Sequence, residues 1–239
     1  EALMSQLLHF SEYRLQETAL LFMALVYITR LYWLTRRKPG RERQAPTGTG
    51  LARPRAAIYY SLANVAMPWG MESTRSKILL YIQFVMFHLG VVAAIGLSFI
   101  IPYSPGLLSS APILILLRVL IAAAFAVGII RIIRRVTSPY MRAISSPDDY
   151  FSLLLLTVWF LFAFLAAPND LSRGESIHLL FFFLTAFFLI YVPFSKISHY
   201  LYYPFARYYL GKTMGRRGVF PVRDAASAQS KSLRTPIRN

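Results

Sequence analysis

Five long apolar runs decide what this chain can fold into. Leu20–Leu34, Ile78–Pro102, Ile113–Ile133, Phe151–Ala167 and His178–Pro193 each approach or exceed the length that carries a helix across a bilayer, ~18–20 residues. At that length five spans use about 100 residues, which leaves no large domain outside the membrane. An outer-membrane barrel would show short alternating strands instead. Charged residues make up only 15% of the 239, against about 25% in a soluble domain. The sequence predicts an all-α, polytopic membrane protein with five transmembrane helices.

The net charge of +16 is informative through its placement. Arg30 stands near the end of the first run, and Arg36, Arg37, Lys38, Arg41, Arg43, Arg53, Arg55, Arg75 and Lys77 follow it. Arg131 closes the third run, with Arg134, Arg135 and Arg142 after it, and Lys196, Arg207, Lys212, Arg216, Arg217 and Arg223 follow the fifth. The Tyr103–Ala111 connection carries no charge, and Pro168–Ile177 carries a single basic residue, Arg173. Cytoplasmic loops hold the Lys/Arg excess, so the reading is N-out/C-in in a cell inner (cytoplasmic) membrane. Basicity confined to loops beside spans gives no nucleic-acid signal. No cleavable signal peptide is expected, because Leu20–Leu34 runs into a stop-transfer cluster.

The expected organisation is a membrane domain over 1–218, with a cytoplasmic linker at 36–77 inside it, and a tail at 219–239. Pro39–Pro54 is Gly-, Pro- and Arg-rich without hydrophobic period, the composition of a mobile linker. Ala56–Trp69 is apolar enough to lie along the membrane surface, or to pack under a partner. The Ser-, Ala- and Arg-rich stretch from Asp224 is expected to be disordered unless bound. No internal repeat stands out, against a transporter built from two related halves. The absence of cysteine excludes disulfides and cluster ligation by this chain.

Intramembrane ionisable groups are costly and read first as functional. The four histidines are His9, His88, His178 and His199. His88 lies ten residues inside the second run, ~15 Å along a helix. A neutral imidazole in hydrocarbon needs partners for both nitrogens, and haem iron would satisfy one. His178 and His199 sit near opposite ends of the fifth run. On one continuous helix their separation gives ~32 Å and ~300° of rotation, hence roughly one face at two depths. That placement suits two stacked haems, although histidines at span ends are also common interfacial residues. Spacing alone therefore suggests a membrane cytochrome b.

Three stretches sharpen this reading: Phe84-Val-Met-Phe-His-Leu-Gly90, Ser138-Pro-Tyr-Met-Arg-Ala143 with Asp148-Asp-Tyr after it, and Val192-Pro-Phe-Ser-Lys-Ile-Ser-His199 followed by Tyr203-Pro-Phe-Ala-Arg207. They resemble the respiratory nitrate reductase gamma-subunit family of dihaem cytochromes b, over about Leu20–Gly218. Met67-Pro-Trp-Gly-Met-Glu-Ser-Thr-Arg75 is more similar to the membrane cytochrome b of the dissimilatory-sulfite-reductase-associated and heterodisulfide-reductase-like electron-transfer complexes. The resemblance implies five spans, N-out and C-in, with His88 and His199 as axial ligands of one haem b on the cytoplasmic side. Their depths match if the second helix starts below the interface, or if Pro193 kinks the fifth helix inward.

The chain departs from that pattern at the outer haem. Where the family carries a further histidine ten residues after His88, this chain has Ser98, and Phe181 stands where the outer histidine of the fifth span is usual. Two readings stay open: one haem with His178 left for quinone chemistry, or two haems with His178 and His9 as outer ligands.

Arg118 reads as a snorkelling residue, or as a counter-charge for a haem propionate or a polar wall for a quinone. Asp148 and Asp149 read as N-caps of the fourth span. Gly90 and Gly96 would admit a macrocycle or pack helices closely. Tyr103, Arg118, Glu175 and His178 mark an outer quinone site, with Lys77, Asn64 and Trp69 as an inner alternative. The expected activity is electron transfer between the menaquinone or ubiquinone pool and a cytoplasmic iron–sulfur subunit. The competing reading is a membrane anchor or transporter with structural histidines, and a haem-transport protein is a further rival.

Overall fold

In the computed structural model the described residues are 2–37, 40, 53–70, 72–172 and 174–220. The Pro39–Pro54 linker, apart from Gly40, Arg53 and Pro54, and the tail from Asp224 lie outside them. Among the described residues the secondary structure is helical, with no strand. The helices are α1 (Ala2–Phe10), α2 (Gln16–Arg36), α3 (Pro54–Ala63), α4 (Glu72–Arg75), α5 (Ile78–Tyr103), α6 (Ala111–Thr137), α7 (Pro139–Ile144), α8 (Pro147–Ala166), α9 (Ser176–Tyr191) and α10 (His199–Arg216). Five stretches are long and apolar enough to cross a membrane: Leu3–Arg36, Ile78–Tyr103, Ala111–Thr137, Pro147–Ala166 and Ser176–Phe194.

The helices group into two compact units, one from residues within 2–37 and 79–198, the other from residues within 53–78 and 199–220. In the first, polar residues share the apolar interior while large apolar side chains face outward. Ser11, Gln16, Ser98, Thr157, His178 and Thr185 are buried, while Leu25, Ile28, Val92, Ile115 and Leu116 are exposed. Outward apolar faces are what a lipid solvent requires, and this unit is a multi-pass membrane bundle.

Small residues set its close approaches. A Cβ on Gly90 would overlap the Ala124 side chain and meet the Leu120 carbonyl at 2.9 Å, so α5 and α6 touch there backbone to backbone. Gly128 of α6 likewise faces Thr157 of α8. The two glycines of the second span thus differ. Gly90 is a packing residue, whereas a Cβ on Gly96 would meet nothing within 4 Å. Between α8 and α9 the core is aromatic, with Phe160, Phe181 and Phe182 fully buried. Trp159 donates to Thr185 Oγ1 at 2.9 Å and lies parallel to Phe181, centroids 6.2 Å apart.

At the far end of the same helix pair, Asp149 accepts from the Ser146 N–H and Oγ, both at 2.8 Å, as an N-cap partner does. Asp148 instead bridges helices, accepting from Tyr191 of α9 and from the Lys196 N–H at 3.0 Å. Lys196 Nζ closes on Asp149 at 2.7 Å.

The first span is a longer helix than the hydropathy implied. From α1 the chain continues through a π-helical turn, Ser11–Leu15, into α2 without a break. Thirty-four residues rise ~51 Å, well beyond the ~30 Å hydrocarbon core. The fifth span is shorter. Pro193 ends α9, because proline lacks the N–H and crowds the preceding turn. Two 3₁₀ turns, Val192–Phe194 and Lys196–Ser198, follow.

In the second unit α3 packs antiparallel on α10. Gly211 faces the Ala57–Ile58 backbone and Gly215 faces Pro54, while Arg207 Nε donates to the Ser61 carbonyl at 2.8 Å. Two glycines four apart remove the side-chain layer and let the backbones meet. The Ala56–Trp69 stretch therefore has a packing partner within the chain, the C-terminal helix.

Candidate haem and quinone sites

His88 sits mid-span on α5 and is half-buried. Its Nδ1 lies 2.7 Å from the Phe84 carbonyl one turn back. A carbonyl only accepts, so Nδ1 carries the proton and Nε2 is the nitrogen with a ligating lone pair. Phe84 lies against the ring at 4.2 Å and Phe87 at 6.3 Å. Axial histidines are held in this way, their second N–H fixing tautomer and orientation. The residues around His88 fit a haem ligand.

His199 is the first residue of α10 and is exposed. It belongs to the second unit and His88 to the first. The continuous-helix count from His178 to His199 does not apply, because α9 stops at Tyr191. Ser195, just before, is used by its own turn: its Oγ donates to the Val192 carbonyl at 3.1 Å and accepts the Ile197 N–H at 3.2 Å.

His178 lies in the first turn of α9, only 2% exposed. Neither ring nitrogen has a hydrogen-bond partner, and the Ala166 carbonyl approaches without reaching normal bond geometry. His9 is exposed on α1, its ring against Tyr13 at 4.8 Å. The positions that carry outer ligands in the resembled family are filled differently. Phe181 is fully buried in the aromatic core, and the Ser98 carbonyl accepts a hydrogen bond from Gln16 Nε2 at 3.1 Å.

His178 and the preceding Glu175 stand at the start of α9, the helix on which the π-helical turn of the first span packs. That turn puts Glu12 within electrostatic reach of Glu175. Glu175 Oε2, Gln16 Oε1 and Arg118 Nε are all buried without a partner. The Arg118 guanidinium lies over Phe164 of α8 at 4.5 Å. Tyr103 is turned to the first helix, donating to Glu17 Oε1 at 3.0 Å, and Tyr13 donates to the Pro102 carbonyl at 2.7 Å. Among the described residues no hydrogen bond or ion pair joins Arg118 to Glu175 or His178. Arg173 lies outside the described residues. Lys77, Asn64 and Trp69 fall in the second unit, where Asn64 is buried and Trp69 is 68% exposed.

Glu12, Gln16 and Glu17 were missed because the apolar run begins only at Leu20. The usable signal was their helical spacing: Glu12 and Gln16 stand one turn apart, with Ser11 beside them. A π-helical turn inside an α-helix often marks a functional site, and this one packs on α9, the helix that carries His178.

No protein-family model matches the chain, and neither the curated proteins nor the solved structures contain a match.

Proposed function

We propose that the chain is a membrane cytochrome b subunit carrying one haem b, with its N-terminus outside and its C-terminus in the cytoplasm of a cell inner membrane. It passes electrons between the menaquinone or ubiquinone pool and a cytoplasmic iron–sulfur subunit. The observation that carries this reading is His88, in the middle of the candidate span α5, with Nδ1 held by the Phe84 carbonyl, an imidazole oriented to offer Nε2. His199, in the motif shared with the resembled family, is the proposed second axial ligand. The haem would supply one-electron carriage, and the protein supplies ligands, depth and a shielded path.

A single haem is preferred over two because the outer-ligand positions are a serine and a fully buried phenylalanine, and His9 is exposed. His178 is then available to quinone. Its unpartnered ring, the partnerless Glu175 oxygen and Glu12 supply groups that would accept a quinol proton. Without cysteine the chain holds no thiolate-ligated cluster, so a partner must, and the Lys/Arg-rich cytoplasmic segments favour an acidic one.

Purified protein should be red, with a reduced alpha band of b type. His88→Ala should be colourless while remaining folded. A haem-free wild-type preparation would return the protein to the anchor or transporter reading.

A further inference from the structure

At the end of the bundle opposite His178, Leu80 and Gln83 of α5, Arg131, Arg134 and Arg135 of α6, and Leu153 of α8 line a cavity of about 200 Å³. Arg135 is already engaged, hydrogen-bonded to Ser145 Oγ and 3.9 Å from the Asp149 carboxylate. That carboxylate is held by Lys196, so it does not neutralise the other two arginines. Arg131 is half-buried and lays its guanidinium over Phe87 at 4.8 Å. Neither Arg131 nor Arg134 makes an ion pair among the described residues.

Cations near a helix C-terminus are favoured by its dipole, which accounts for their position but not for a concave, carboxylate-free pocket. Arg134 is exposed, whereas the Arg131 guanidinium one turn away is partly desolvated and calls for an anion, and guanidinium forks suit phosphate oxygens. We propose that this cavity binds the phosphate of an anionic phospholipid, with Arg131 and Arg134 as the phosphate ligands. Two features favour lipid over soluble phosphate. Arg131 and Arg134 precede the last residue of α6, Thr137, by six and three positions, ~9 and ~5 Å of helix, which is headgroup depth. Leu80 and Leu153 also provide an apolar wall for the glycerol and upper acyl carbons. A haem propionate is disfavoured, because Leu80, Gln83 and Phe87 share one face of α5 and His88 is turned ~100° from Phe87.

The test is native mass spectrometry of the detergent-purified protein given equal phosphatidylglycerol and phosphatidylcholine. One phosphatidylglycerol per chain should be retained preferentially. The double variant Arg131→Gln/Arg134→Gln should lower that retention at least about tenfold, as expected for losing charge-assisted hydrogen bonds. Arg142→Gln, outside the cavity, should not change it. The selectivity of the unmodified protein needs no variant to fold, so the proposal stands exposed either way. Equal retention of both lipids would overturn it. So would displacement of the lipid by millimolar glycerol phosphate or inorganic phosphate, or a double variant that keeps its lipid and loses only haem.

Discussion

The Nε2 amide of Gln16 donates to the backbone carbonyl of Ser98 at 3.1 Å, with both residues buried. In an uninterrupted helix that carbonyl would accept from residue 102, but residue 102 is proline and has no N–H. A side chain of the first helix therefore replaces the bond that Pro102 removes from α5, as a lipid-embedded backbone requires. Gln16→Leu should strand the carbonyl and destabilise the bundle by about 1–2 kcal/mol. Pro102→Ala restores the N–H and should remove most of that cost. A thermal-melt double-mutant cycle checks it, and additive effects would refute the coupling.

Gly90 and Ala124 make a second coupled pair. Gly90→Ala places a methyl where the Ala124 side chain already is, and should cost about 1–3 kcal/mol through overpacking. Ala124→Gly should recover part of it. If Gly90→Ala alone left the melting temperature unchanged, the contact between α5 and α6 would be wrong.

How much of this was legible beforehand differs by element. The five spans were plain from hydropathy, because continuous apolar length is a one-dimensional signal. The first helix was cut short because Ser11–Glu17 is polar, and polar residues were read as outside the bilayer. Ser11 and Gln16 instead form a buried inward face, while Arg14 and Glu17 stay exposed. The end of α9 was legible in Pro193, yet the helical count was carried through it to His199. Gly90 was flagged as either packing or macrocycle access, and only the position of Ala124 decides between them.

The chain's lack of cysteine makes its orientation easy to test. In single-cysteine variants, Gly106→Cys lies in the loop before α6 and Tyr140→Cys on α7, both at exposed positions. A membrane-impermeant maleimide should label the first in intact cells and the second only after lysis. The reverse pattern would contradict N-out/C-in.

The outer quinone site predicts a kinetic separation. His178→Phe should keep the haem and slow its reduction by quinol about a hundredfold, the lower end of what general acid–base groups contribute, and Arg118→Ala should keep the haem and slow the step as well. Unchanged rates in both would move quinone chemistry to the other side of the membrane.

The central claim is most directly met by a pyridine haemochrome assay per polypeptide on the wild type, His88→Ala and His199→Ala. The account predicts one haem b per chain in the wild type and none in either variant. Full haem content in either variant would break the proposed ligand pair, and a colourless wild type would end the cytochrome reading.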